Sequence, residues 1–290
     1  MLIQSPIAWI GDRLDRAFHT VGSASDQEYW HEDRSAGTLS VRRIGFADLQ
    51  QALSAGVADF AANRTDVIFL SVIYPLMGLV LARLASGYGV VPLLFPLASG
   101  FALVGPLAAV GLNEMSRRRE QGAEVNWTDA FGVVRSPSFG AITGLGLLLI
   151  AIFLVWLASA QAIYFVTLGP NPPVSVAAFI HSVFATEAGW AMIILGCGIG
   201  FLFAVAVLAI SVVSFPVLLD RDERMETAIW TSIQAVRANP GPMAAWGLIV
   251  AAGLVIGSVP CFIGLVIVLP VLGHATWHLY RRVVPAGSAG

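Results

Sequence analysis

Residues 188–219 read AGWAMIILGCGIGFLFAVAVLAISVVSFPVLL, 32 consecutive positions without Asp, Glu, Lys or Arg. A straight helix of that length, rising 1.5 Å per residue, would be about 48 Å long. The hydrocarbon core of a bilayer is about 30 Å thick. Left in water such a surface would aggregate, whereas lipid solvates it. The stretch therefore reads as a membrane span with length to spare, one that tilts, protrudes or bends near Pro216.

Working outward, Val90–Leu112, Ala141–Ala160 and Pro242–Leu272 are equally free of charge. The last is 31 residues long and is divided at Gly257-Ser258-Val259-Pro260, so it reads as two spans joined by a tight turn. Val67–Leu84 supplies another, interrupted only by Arg83. At roughly 20 apolar residues per crossing, six helices are expected. The composition agrees, with 57% hydrophobic and only 12% charged residues. A net charge of −2 leaves no basic excess for nucleic acid. Cys197 and Cys261 both fall inside apolar stretches and read as buried thiols. Met1–Arg16 has no hydrophobic core of signal-peptide length, so the first span is expected to direct insertion itself.

Orientation follows from the arginines, which make up all 16 basic residues. With six crossings, 15 of the 16 fall on one side: six before the first span, Arg117–Arg119 and Arg135 between the second and third, Arg221, Arg224 and Arg237 between the fourth and fifth, and Arg281 and Arg282 at the end. Arg83 alone falls opposite, within snorkelling reach of the outer interface. The positive-inside rule then places both termini in the cytoplasm of a bacterial inner-membrane protein.

The spans pair into three helical hairpins, in units of about 46–119, 127–221 and 226–284, each opened by a short amphipathic segment. Phe46, Leu49, Leu53, Val57 and Phe60 recur at helical spacing in the first, Trp127, Phe131 and Val134 in the second, and Ile229, Ile233 and Val236 in the third. Too short to span and flanked by Arg, these are expected as helices on the cytoplasmic face. In the first, Gln50, Gln51 and Asp59 are expected to face water. Pro106 precedes Arg117 by eleven residues and Pro270 precedes Arg281 by eleven, so the first and third units match, whereas Pro216 stands only five before Arg221. Residues 1–45 read as a cytoplasmic tail, disordered in part, 46–284 as the membrane domain and 285–290 as a short C-terminal tail. Between spans three and four, Val176, Phe179, Ile180, Val183 and Phe184 share one helical face, expected at the outer interface.

No carboxylate or arginine falls in the middle of any span, which argues against ion-coupled transport, voltage sensing and an intramembrane acidic protease. Glu114 and Asp220 read as solvated helix ends near the inner interface. The sharpest local pattern is Gly273-His274-Ala275-Thr276-Trp277-His278, in which two histidines at i and i+4 share a helix face as a metal pair requires. The match between units sets Glu114 opposite His278 and makes it the candidate third ligand. The competing reading is an interfacial belt of His274, His278, Trp277 and Tyr280, with both imidazoles part-exposed; the frequency of chance i,i+4 histidines favours it, and no cofactor is expected. Gly140/Gly144, Gly196/Gly200 and Gly253/Gly257 form G-x-x-x-G pairs that suit close helix packing.

The segments VRRIGFADL at 41–49, PLLFPLASGF at 92–101, RSPSF at 135–139, SFP at 214–216 and LPVLGHATWHLYRR at 269–282 give the chain a resemblance to a family of predicted integral membrane proteins from proteobacteria, a domain of unknown function. The resemblance covers nearly everything after residue 40 and implies the membrane fold without an activity. Some members carry an automatic label of cytochrome c oxidase subunit I. A haem-copper subunit needs several intramembrane histidines on different helices, and of the five here only His274 and His278 approach the membrane. The expected function is non-catalytic: an accessory, assembly or scaffold component. A transporter or channel for a neutral or apolar solute is the alternative, and a metal- or haem-binding protein the third. The expected partners are the bilayer, other membrane proteins or a second copy of the chain, and not nucleic acid.

Overall fold

Apolar runs of 15 to 30 residues, broken by Pro, Gly and Asn, leave the backbone one way to satisfy itself in lipid, which is helix. The computed structural model describes residues 39–62, 83, 91–171, 173–260 and 262–285, and every regular element among them is helical. In chain order these are α1 (Phe46–Ala62), a 3₁₀ turn (Val91–Leu93), α2 (Leu94–Ala108), α3 (Val110–Glu120), a 3₁₀ helix (Trp127–Arg135), α4 (Phe139–Thr167), α5 (Val176–Ala185), α6 (Glu187–Ser211), α7 (Ser214–Asp220), α8 (Met225–Ala238), α9 (Pro240–Ser258) and α10 (Leu265–Val283). The described residues lie in one unit that begins at Leu39. The expected tail through Thr38, the expected span Val67–Leu84 apart from Arg83, and Cys261 lie outside the described residues.

Among the described residues three helices are long and apolar enough to cross a membrane: α4, α6 continued through α7, and α9. Their surfaces are inverted relative to a soluble fold. Only 6% of the apolar window of α6–α7 is buried within the protein, and Phe201, Leu202 and Leu248 point outward. Side chains of that kind, exposed all round a bundle, have lipid as their solvent.

The expected bend in the long fourth stretch occurs where the chemistry requires it. Pro216 has no N–H to give the Val212 carbonyl, and the helix is interrupted at Val212–Val213 before resuming as α7. Ser214 Oγ meets the Ala228 carbonyl at 3.0 Å, tying the restart to α8. The stretch from Val90 divides at Ala109, three residues after Pro106, although the Ala109 N–H still donates to the Gly105 carbonyl at 2.9 Å. Pro242–Leu272 divides as expected into α9 and α10, and Phe262 takes a left-handed φ of 66° in the turn. Gly257 and Gly264 close this hairpin backbone to backbone: a Cβ on Gly264 would come within 2.8 Å of Gly257 Cα.

The tightest packing sits at the arginine-rich end. Phe215 and Leu218 of α7, Met243 and Trp246 of α9, and Trp277 and Tyr280 of α10 are all fully buried there. Against them lies α1, antiparallel to α10, with Gly56 so close to Ala275 that a Cβ would meet it at 2.7 Å. That contact corrects the expected stripe. Leu49 is buried, but with Ala52, Gly56 and Asp59, while Phe46 and Val57 are exposed. Close approach selects the small-residue face over the bulkiest one, and Asp59, expected in water, turns inward with it. The segment before α1, which the sequence assigns to the tail, is tied down: Arg42 N–H donates to the Val283 carbonyl at 2.8 Å and Ile44 N–H to Asn239 Oδ1 at 2.7 Å.

The other two amphipathic segments also pack. α8 buries Ala228, Thr231, Ser232 and Ala235. The segment from Trp127 is a 3₁₀ helix in place of the expected α-helix, opened by an Asn126–Asp129 capping box. At three residues per turn it sets Ala130 and Val133 inward and leaves Trp127, Phe131 and Val134 outside. α5 forms where the shared apolar face predicts it, capped by Ser175.

Candidate functional site

Two features stand out, a polar lattice at the arginine-rich end and an apolar cavity beside it. The lattice begins at Asp59, 7% exposed near the end of α1. Its Oδ2 accepts the Ser116 hydroxyl at 2.6 Å and contacts His278 Nε2 at 2.8 Å, and Arg119 Nε lies 3.4 Å from Oδ1. Burial alone would raise this carboxyl, but the hydrogen bonds from His278 and Ser116 and the nearby imidazoles outweigh it and hold the group below its ordinary value.

Ser116 Oγ also lies 2.8 Å from His274 Nδ1. With its proton committed to a carboxylate, Ser116 can only accept from His274, which fixes the Nδ1–H tautomer and leaves Nε2 as a buried acceptor without a hydrogen bond. A serine, a histidine and an aspartate are thus in contact, but in the wrong order for attack. The serine proton goes to the carboxylate and not to an imidazole, and Ser116 is 1% exposed.

The same end carries paired charges. Glu114 is 1% exposed and gripped by Arg117 Nε and Arg118 Nε, both at 2.8 Å. Arg118 continues to Asp129 at 2.6 Å. Arg281 joins Glu120 at 2.9 Å to Asp220 at 3.0 Å, while the Trp277 indole N–H donates to Glu120 and the Tyr280 hydroxyl to Asp220. The Arg281 guanidinium stacks 5.2 Å from the Trp277 ring centroid. The C-terminal ends of α3, α7 and α10 are thereby locked together, and α1, α3 and α10 line a cleft of about 460 Å³ with Asp59, Ser116, Arg119, Glu120, His278, Arg281 and Arg282.

These placements revise two expectations. Glu114 and Asp220 are not solvated ends, because each neutralises arginine inside the lattice. The interfacial belt does not form as expected either: His274 is wholly buried, and Trp277 and Tyr280 with it. As for the candidate metal set, His274 and His278 both reach the Asp59–Ser116 network, but Glu114 turns to its arginines. Among the described residues no group of three or more His, Cys, Asp or Glu side chains is placed to hold a metal ion. Asp59 and Ser116 were missed by sequence reasoning, and the signal that points to Asp59 is its phase with Leu49, Ala52 and Gly56.

The cavity, of about 500 Å³, lies among α2, α3, α6, α7, α9 and α10. α6 packs on α4 and α8, and α9 packs on α10, while α6 and α9 touch sparingly, with Leu208 beside Gly247, where a Cβ would meet it at 3.2 Å. The exposed lining residues Phe201 and Val205 of α6 and Leu248 of α9 place its mouth between those two helices, toward the lipid. Phe215 and Trp246 lie at its buried side. Among the described lining residues none is ionisable, and the polar ones are Asn113, Ser211 and Thr276. Ser211 and Thr276 spend their protons on the Val207 and Leu272 carbonyls, each at 2.7 Å. Asn113 is 1% exposed and its Oδ1 accepts no hydrogen bond.

The paired glycines divide. Gly200 meets the Trp156 ring at 3.0 Å, Gly253 meets Val268 at 3.1 Å, Gly257 meets Leu265 and Gly264, and Gly144 meets only Met225 at 3.3 Å, whereas Gly140 and Gly196 face open space. Gly56, outside any such pair, makes one of the closest approaches.

Residues 94–220 match the model of a family described as "Predicted integral membrane protein (DUF2189)". That segment runs from α2 through α7, so it includes Asn113, Ser116 and the RSPSF and SFP motifs but neither α1 nor the two histidines of α10. No curated protein and no solved structure matches the chain.

Proposed function

We propose that this integral membrane protein is a non-catalytic accessory component of the bacterial inner membrane that holds an apolar molecule drawn from the bilayer. The apolar cavity opening sideways between α6 and α9 carries this reading. Pockets of about 300–1,000 Å³, largely apolar with a few placed polar groups, are the ordinary form of a small-molecule site. The lattice at the arginine-rich end suits a supporting role: it clamps three helix ends so that the lipid-facing halves can stand apart.

In this reading the chain crosses six times as three hairpins, with the arginine-rich end and both termini in the cytoplasm and α5 at the outer surface. The meeting of α3, α7 and α10, the last helix of each proposed unit, supports a threefold repeat. Gentle solubilisation followed by mass spectrometry of lipid retained per protein tests the function. A near-stoichiometric apolar species, depleted by Ala204→Phe in the cavity wall, is expected. Bulk membrane lipid alone, unchanged by that substitution, would contradict it. Passage of an apolar solute is the second reading, favoured by the same hollow, and is distinguished by flux in reconstituted vesicles.

A further inference from the structure

The cavity is polarised along the bundle. Its three polar residues gather toward the arginine-rich end, Asn113 four residues before Arg117 and Thr276 five before Arg281, so Asn113 lies about 6 Å of helix rise from the charged level. From there the lining runs to Leu254, deep in the apolar stretch of α9. A lipid of the adjacent leaflet has the same polarity, with its head near the arginines and its tail toward the bilayer centre.

The head chemistry follows from what Asn113, Ser211 and Thr276 offer. Both hydroxyl protons are already donated within their own helices, so these two groups present lone pairs, and the Asn113 amide adds N–H donors and an oxygen with nothing to accept. A buried amide oxygen without a partner has lost its water with nothing in exchange. A phosphate or carboxylate would be buried with no cation among the described lining residues to neutralise it, whereas a neutral hydroxyl both donates and accepts. A ligand bearing hydroxyls satisfies these groups.

We propose that the cavity is a binding site for a neutral, hydroxyl-headed lipid of the acylglycerol or long-chain alcohol kind, entered from the bilayer between α6 and α9, with Asn113 receiving the head. This rests on the cavity reading above and adds a specificity and a residue to it.

The test uses full-length protein, purified in dodecyl maltoside and stripped of lipid. Equal amounts of monooleoylglycerol and methyl oleate, which share a chain but differ in head hydroxyls, compete for it, and occupancies are read by native mass spectrometry. Wild type is expected to favour monooleoylglycerol by about threefold to tenfold, the worth of one net hydrogen bond. Asn113→Leu should bring the ratio to about one while total occupancy holds. Its folding is checked by thermal unfolding, with Asn113→Ala as a second variant that removes the same acceptor. Ala204→Phe should lower both occupancies together. An even ratio in wild type, or a preference that survives loss of Asn113, would overturn the head-group assignment while leaving the cavity reading intact. No retention of either probe by wild type would overturn both.

Discussion

Asp59 sits on α1 but takes its partners from α3 and α10, so removing its charge should loosen three elements at once. Asp59→Asn leaves His278 and Arg119 without their anion and is expected to cost about 3 kcal/mol, read as a lower unfolding temperature in detergent. The folded carboxyl titrates below its ordinary value of 3.8, so its contribution is complete above that value and fades as pH falls through the lower, folded one. An acid limb of stability below about pH 4 is therefore expected, and Asp59→Asn should shrink it; an unchanged limb would assign it elsewhere. Asn239 is a second test at this scale. Its amide accepts from Ile44 N–H and donates to the Arg42 and Ala235 carbonyls, both at 3.1 Å. Asn239→Ala should destabilise by about 2 kcal/mol and speed tryptic cleavage after Arg42 and Arg43. Neither role is legible in the sequence, where Asp59 reads as a water-facing acid and Asn239 as a helix stop. Apart from the Asn239–Ala235 bond, each contact spans more than fifty residues of chain, and local periodicity carries no information at that range. The histidine pair, by contrast, is plain in the sequence, although its partners are not.

Local chemistry decides most of the elements, which is why they were legible. Chargeless runs of span length became α4, α6 and α9, Pro216 interrupted its helix four residues upstream, and the Gly257–Pro260 break became the α9–α10 turn. The failures have a common cause. The stripe on α1 was assigned to its largest side chains, but a helix lying within van der Waals reach of another needs its smallest ones, Ala52 and Gly56, at the contact. In the Trp127 segment the three-residue period of the 3₁₀ helix turns Ala130 and Val133 inward in place of the larger side chains. The α9–α10 hairpin gives the clearest test at this scale. Gly264→Ala forces a methyl against the Gly257 backbone and should destabilise by about 1–3 kcal/mol. Gly140→Ala, with open space around it, should change little, and equal effects at the two positions would contradict the packing described.

For the whole molecule, charge and hydropathy make the membrane class readable before any contact is known, and the six-crossing topology remains the reading to be tested. Cytoplasmic reporters fused after Arg119, Arg224 or Arg282 should be active, and periplasmic ones near Ser86 and Pro173. A periplasmic signal after Arg119 would overturn that topology. The cavity was not legible, since it arises where α6 and α9 pack only sparingly, with Leu208 beside Gly247, and no local pattern records how far two helices stand from each other. The space is what the proposed function depends on. A crystal structure grown from a monooleoylglycerol mesophase examines it most directly: chain density between α6 and α9, with its glycerol within hydrogen-bond reach of Asn113, is the expected result, and α6 packed against α9 with the space closed would contradict it.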